Sequence, residues 1–253
     1  MVHGDSVSPD VPKSFNPVPK TQPRNRLGFA SWLMSNDNPL TSRAIVNRFW
    51  EQIFGIGLVE TLEDFGTQGA PHTHQELLDW LALRFMNDHH WSMKKLIKDL
   101  VMSATYRQDS HITAELSEKD PSNRLLARGP RVRLSFEQVR DQALAVSGLL
   151  SKKMYGKSVM PYQPQGIWNS VYSNEYWKES EGEDYYRRSV YTYVKRTSPY
   201  PSMMTFDGSS REVCVSRRIR TNTPLQALVT LNDSSFVVAA RNLATRMMKG
   251  GKN

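Results

Sequence analysis

The sequence predicts a mainly α-helical protein with a small β or irregular subregion that is rich in aromatic residues. Three observations support this class. Apolar residues recur at helical spacing through much of residues 24–150 and again after residue 211. Residues 154–209 lack that spacing and contain many glycine, proline and aromatic residues. Within them the segment RSVYTYVK, at 188–195, alternates in the way that is typical of a strand.

The first 23 residues are predicted to be an extended lead-in. Prolines at positions 9, 12, 17, 19 and 23 are incompatible with a helix there. The region 24–150 is predicted to be helical, and its first helix covers 24–35. The apolar stripe of that helix consists of Leu27, Ala30, Leu33 and Met34.

Capping residues mark the next two helices. Asn38 is predicted to cap a helix that has Pro39 at its first position and ends at Gly55. Thr73 and Glu76 have the spacing of a capping box for the helix that follows.

Two later helices of this region also begin at serine caps. Ser92 precedes one of them, and Ser135, with Gln138 three residues on, precedes the other. The inward face of the helix over 135–150 is predicted to contain Phe136, Val139, Ala143, Val146, Leu149 and Leu150.

The rest of the chain divides into two parts. Residues 151–210 form the predicted aromatic-rich subregion. Residues 211–253 are predicted to form C-terminal helices that pack on the helical region as part of one compact unit. Thr223, Pro224 and Gln226 form a helix start, a break follows near 232–234, and the last helix runs to about Met248.

Composition excludes several kinds of site and partner. Cys214 is the single cysteine of the 253 residues, so an internal disulfide, a CxxCH haem attachment and a cysteine zinc site are excluded. No apolar run reaches the ~20 residues that span a bilayer, and no signal peptide is recognised at the start. The net charge is +8, but an acidic run over 175–184 directly precedes the basic run over 187–220, which argues against a nucleic-acid partner.

Positive charge gathers just before the C-terminal helices. Unpaired amides at a helix N-terminus attract anions, and arginine adds bidentate donors. The sequence therefore predicts an anion-binding site, for a carboxylate, phosphate or sulfate, at Arg211, Arg217, Arg218, Arg220 and Thr223. The alternative is that Asp207, Glu212 or the acids at 60, 63 and 64 pair with these arginines.

Aromatic residues form a second candidate site. Rings of tryptophan and tyrosine stack on sugars, although they also fill thin sheets. The candidates for carbohydrate contact are Trp168, Tyr172, Trp177, Tyr191 and Tyr193. His72, His74 and Glu76 have poor spacing for a shared helix face, so no metal site is predicted, and no catalytic residue is assigned.

Several ordered blocks of the chain resemble a known family. They are NPLTSRAIVNRFWEQIFGIGLVETLEDFG, THQELLDWLA, WSMKKLIKDLVMSATYRQ, DPSNRLLARGPRVRLSFEQVRDQALAVSGLL, RRSVYTYVKR and RRIRTNTPLQALVTLND. Together they resemble the planctomycete-enriched domain-of-unknown-function family 1553 from about residue 25 onward. The family has no established activity and no catalytic residue to carry over.

The resemblance implies a setting for the chain. Family members are typically the C-terminal part of large exported proteins that often carry a cytochrome-c-like module, so an extracytoplasmic location is implied. Haem c is implied only for an upstream region, because this chain has no CxxCH. The implied partners are other domains of the same full-length protein.

The functional expectation follows from the candidate residues and from the family resemblance. The leading hypothesis is a non-catalytic interaction or scaffold domain of an exported bacterial multidomain protein, with the arginine cluster binding an anionic ligand. The first alternative is a carbohydrate-binding domain or a polysaccharide-acting enzyme that uses carboxylates from 60–64 or 175–184. The second alternative is a docking domain for a cytochrome-c-like electron-transfer module.

Overall fold

A computed structural model of the chain describes residues 4–168 and 176–250. Within these ranges it confirms the mainly α-helical class, with nine α-helices and two 3₁₀ helices. The β pairing found there is one isolated parallel bridge, between Val159 and Thr192. None of the described helices combines the length and apolar composition that crossing a bilayer requires. Contacts divide the chain into two compact units, Met1–Val132 and Arg133–Asn253.

The N-terminal unit is built around packed helices. Its helices are α1 (Arg26–Leu33), α2 (Thr41–Phe54), α3 (Gln75–Asn87), α4 (Met93–Met102) and α5 (Ala114–Lys119). α2 packs against both α3 and α4. The buried residues of this core are Val46, Trp50, Leu58, Val59, Leu78, Leu81, Phe85, Leu96 and Leu100. The apolar stripes of three helices thus form one core.

A buried asparagine ties α2 to the connector that follows it. The Asn47 side chain is fully buried, its Nδ2 donates to the Val59 carbonyl at 2.8 Å, and its Oδ1 accepts from the Val59 amide at 3.0 Å. Gly57 lies against the same pair, because a Cβ there would be 2.4 Å from the Val59 carbonyl oxygen. The connector is therefore held closely on the helix.

The predicted helix ends are partly correct. Gly55 ends α2 with φ of 90°, as predicted. Ser92 immediately precedes α4, but its side chain forms no capping hydrogen bond with that helix. Asn38 accepts hydrogen bonds from the amides of Leu40 and Thr41 at 3.0 and 3.3 Å, but α2 begins at Thr41 rather than at the proline.

Two predictions for the N-terminal unit are wrong. The Thr73 hydroxyl donates to the Leu58 carbonyl at 3.1 Å instead of capping α3, which begins at Gln75 without a capping box. The inward stripe of α1 is also different, because Leu27 and Met34 are exposed and Trp32 is buried. The Trp32 indole donates to the Asn16 carbonyl at 2.7 Å, so contact with the lead-in decides which face is covered.

The C-terminal unit contains the remaining helices. They are α6 (Phe136–Ser147), α7 (Pro201–Thr205), α8 (Pro224–Asn232) and α9 (Ser234–Gly250), with 3₁₀ helices at Gly182–Tyr186 and Ser189–Tyr191. α6 packs against α7 and α9, and α8 packs against α7 and α9. Phe136, Tyr200, Met203 and Phe206 form its aromatic core. The capping boxes predicted for α6 and α8 are both present.

The buried face of α6 differs from the predicted one. Val146 is 47% exposed, whereas Arg140 is 3% exposed. The Arg140 guanidinium donates to the carbonyls of Arg187 and Tyr185, at 2.8 and 3.1 Å. A charged side chain therefore lies inside because backbone carbonyls of the 3₁₀ region accept its hydrogen bonds.

The strand predicted over 188–195 is wrong. Ser189–Tyr191 is a 3₁₀ helix, and the Ser189 amide donates to the Asp141 carboxylate at 2.7 Å. Side chains of α6 thus satisfy backbone groups that a neighbouring strand would satisfy in a sheet. Strand-like pairing remains at Val159. Its amide donates to the Tyr191 carbonyl and its carbonyl accepts from the Tyr193 amide, each at 2.8 Å.

A second buried arginine, Arg187, anchors residues 153–157. Arg187 is 2% exposed, and its guanidinium donates to the carbonyls of Tyr155 and Lys157. The same group lies 3.7 Å from the ring centroid of Tyr191. Residues 153–157 are therefore anchored without belonging to a helix or strand.

Candidate functional site

The predicted arginine cluster lies in residues 211–220, which form neither helix nor strand. Arg211 and Arg217 are exposed, and Arg220 is half-buried. Arg218 donates from both Nη atoms to the two carboxylate oxygens of Glu137, at 3.0 and 2.9 Å. One member of the cluster is thus bound to an acid of the protein itself.

The front of α8 is closed by its own side chains. Thr223 accepts from the Gln226 backbone amide, and the Gln226 Oε1 accepts from the Thr223 amide at 3.4 Å. The Asp207 carboxylate accepts from the Thr221 amide at 2.7 Å and from the Gln226 side chain at 3.3 Å. An internal carboxylate therefore already lies at this helix start, and anion binding by these residues stays a prediction.

Three of the five aromatic candidates are brought together. The Trp168 ring lies 5.3 Å from the Trp177 ring and 6.1 Å from the Tyr193 ring. Tyr200, a core residue of the same unit, extends the cluster at 5.8 Å from Trp177. Tyr191 lies instead against the Arg187 guanidinium. Tyr172 lies outside the described residues.

A cavity of about 380 Å³ opens beside this aromatic cluster. Its volume is within the ~300–1,000 Å³ of small-molecule sites. The polar and aromatic residues that line it are Gln163, Gln165, Trp168, Tyr176, Trp177 and Glu179. Tyr176 is 78% exposed, so the cavity has one aromatic ring open to solvent.

Two residues that line the cavity each carry a buried polar atom with no hydrogen-bond partner among the described residues. The two atoms are the Gln163 Oε1 and the Trp168 Nε1, on side chains that are 5% and 6% exposed. One is an acceptor and the other a donor. Buried polar atoms are nearly always hydrogen-bonded, so two such atoms on residues that line one cavity are candidates for contact with a polar ligand or ordered water.

The walls of the cavity are tied together. The Trp177 indole donates to the Pro161 carbonyl at 2.8 Å. The Ser180 amide donates to the Met160 carbonyl at 2.8 Å, and the Ser180 hydroxyl accepts from the Met160 amide at 3.0 Å. The segments around 160 and 180 therefore hold each other in a preformed arrangement.

Two charged groups, Lys195 and Glu179, lie near the aromatic residues of the cavity. The Lys195 Nζ lies 4.8 Å from the centroid of the Trp168 ring. Burial, with a further contribution from the negative charge of Glu179, raises the pKa of the Tyr185 hydroxyl to about 12. The carboxylate is thus close enough to the aromatic region for its charge to affect a neighbouring group.

The sequence candidates include two aromatic residues of the cavity lining, Trp168 and Trp177, but neither Tyr176 nor the polar residues. Gln163 and Gln165 stand in PYQPQG, where nothing in the spacing marks either amide. Glu179 belongs to the acidic run over 175–184, which the sequence offered as a source of acids for polysaccharide hydrolysis. The histidines at 72 and 74 precede α3, and the described residues contain no cluster of three potential metal ligands.

Comparison with known proteins bears on the family. The model of a family described as PSD1, a protein of unknown function (DUF1553), matches residues 25–252. No curated protein and no solved structure matches the chain at a significant level. The resemblance drawn from the sequence blocks is confirmed, and the chain belongs to the DUF1553 family.

Proposed function

We propose that this chain is a non-catalytic interaction domain of an exported multidomain protein, and that its aromatic cavity binds carbohydrate. The observation that carries the proposal concerns Gln163 and Trp168, which line one cavity with exposed aromatic surface. Each has a buried polar atom without a hydrogen-bond partner in the described part of the chain. The anionic-ligand hypothesis has less support, because Arg218 and Thr223 are engaged within the protein.

Sugar chemistry fits the two atoms. A hydroxyl group accepts one hydrogen bond and donates another, so sugar hydroxyls satisfy both the indole N–H and the amide oxygen. Leaving such a buried group unpaired costs about 1–3 kcal/mol, which a ligand recovers when it binds. Aromatic rings beside these atoms contact the apolar C–H faces of a sugar.

Binding and hydrolysis differ in their requirement for acids. Glycoside hydrolysis uses two carboxyl groups about 5–10 Å apart, and Glu179 is the carboxylate among the described lining residues. Hydrolysis is therefore kept as the alternative, and release of reducing ends from the probe sugars would favour it.

The proposal is tested by titration of the protein with neutral tetrasaccharides of glucose, galactose and mannose. Binding is followed by calorimetry and by tryptophan fluorescence. Trp168→Phe removes the indole donor and Gln163→Met removes the amide, and each is expected to weaken binding about tenfold. Trp80→Phe, on the exposed face of α3, is the matched control and should bind as the wild type does.

Two results would contradict the proposal. The wild type could bind none of the three tetrasaccharides, or both cavity variants could bind as tightly as the Trp80 control. Circular dichroism of each variant shows whether it is folded, and the two variants change different side chains, so misfolding of one leaves the other as the test.

A further inference from the structure

We infer that Glu179 is a specificity-determining residue of this cavity, selecting neutral sugars with a vicinal diol and rejecting uronic acids and sulfated sugars. This inference rests on the proposed function and names the ligand class of the same site. It depends on where the carboxylate is held, on which charges surround it and on how carboxylates bind hydroxyl groups.

The backbone of Glu179 is held between two anchored neighbours. Trp177 donates its indole N–H to Pro161, and Ser180 pairs with Met160 through its amide and its hydroxyl. A residue between two such attachments has little freedom to leave the cavity wall. The backbone of Glu179 is therefore held at the cavity wall, and its exposed side chain extends from that anchored position.

Glu179 is an exposed acid that lines the cavity, and it differs in its pairing from the later acids of the same run. The later acids of the same run, Glu183 and Asp184, pair with Lys153 at 3.9 and 2.9 Å. Glu179 forms no ion pair within the part of the chain that the structure describes. The ammonium of Lys195 lies over the Trp168 ring, and Lys178 is exposed.

Hydrogen bonding then determines what the cavity accepts. An ionised carboxylate is an acceptor only, and its two oxygens match two adjacent hydroxyl donors, so a vicinal diol binds it bidentately. A uronate or sulfate brings a second negative charge beside the first in a partly enclosed site, where repulsion is stronger than in open water. The cavity thus favours neutral sugars.

Matched sugars that differ in charge test the inference. The probes are tetramannose, tetragalactose and tetraglucose together with the corresponding uronic acid tetrasaccharides, titrated at low salt. The wild type is expected to bind the neutral member of at least one pair tenfold or more tightly than its uronic acid, as expected for charge-assisted contacts. Glu179→Gln should weaken neutral binding about tenfold and bring the two affinities close together.

The control variant is Glu181→Gln, which removes an exposed acid two positions away that does not line the cavity. It should keep the preference of the wild type. Equal wild-type affinities within each pair, or an unchanged preference in Glu179→Gln, would overturn the inference while sugar binding still supports the proposed function. Binding of no neutral sugar by the wild type would overturn both.

Discussion

Replacing Gln226 with leucine tests whether a single buried side chain holds the front of α8. This amide is 1% exposed. Its Oε1 accepts from Arg133 at 2.7 Å, and its Nε2 donates to the Thr205 carbonyl at 3.1 Å. Leucine has a similar volume, so the substitution removes these hydrogen bonds and opens little empty space.

The expected loss of unfolding free energy is the sum of several unequal contributions. A carbonyl left without a donor, such as that of Thr205, costs about 1–3 kcal/mol, and loss of a helix cap costs about 1 kcal/mol. Arg133 is exposed and keeps Asn222 as a second acceptor at 3.1 Å, so losing its hydrogen bond to Gln226 costs little free energy. We therefore expect Gln226→Leu to lower the free energy of unfolding by about 2–4 kcal/mol.

Urea denaturation, followed by circular dichroism and tryptophan fluorescence, measures this change. The variant should reduce the midpoint without changing the slope, because the surface exposed on unfolding is nearly the same. Gln142→Leu, at an exposed position of α6, is the control and should shift the free energy by less than about 0.5 kcal/mol. If Gln226→Leu were as stable as this control, the buried amide would not support α8.

Two further predictions concern other internal contacts. Burial alone would raise the pKa of Glu137, but hydrogen bonding from Arg218 holds it below its ordinary value of 4.5. The pair therefore stabilises the fold above that pH and loses its effect as the pH falls through the lowered pKa. Arg218→Ala should reduce the urea midpoint at neutral pH and approach the wild type in acid, and an equal difference at both pH values would contradict this. In the N-terminal unit, Asn47→Leu leaves both backbone groups of Val59 unpaired and should lower the free energy of unfolding by about 2–4 kcal/mol in thermal denaturation. An effect no larger than that of the exposed Asn87→Leu would contradict it.

Local signals predicted helices well in this chain. The boxes at Ser135 and Thr223 and the glycine at position 55 mark real helix ends, because capping depends on residues only a few positions apart. Thr73 also had the required spacing, but its hydroxyl donates to the Leu58 carbonyl, 15 residues earlier. A contact with a distant segment replaced the local one.

The predicted strand and the cavity depend on contacts between segments that are distant in sequence. RSVYTYVK alternates as a strand does, yet Asp141 on α6 accepts from the Ser189 amide, Arg140 donates to the Arg187 carbonyl just before the segment, and Ser189–Tyr191 is a 3₁₀ helix. The cavity forms because segments near 160 and 180 are joined through Trp177 and Ser180. Aromatic residues could be named in advance from their chemistry. Gln163 could not, because it lines a cavity only once these two segments are joined.

The carbonyl contacts of Arg187 have a consequence for proteolysis. Residues 153–157 contain two lysines in a stretch without regular structure, which is ordinarily a favourable site for trypsin. The carbonyl of Lys157, which belongs to the bond that trypsin would cut, accepts a hydrogen bond from the buried guanidinium at 3.0 Å. Cleavage after Lys157 requires this hydrogen bond to open first, so we expect trypsin to cut this irregular segment more slowly than an unanchored loop.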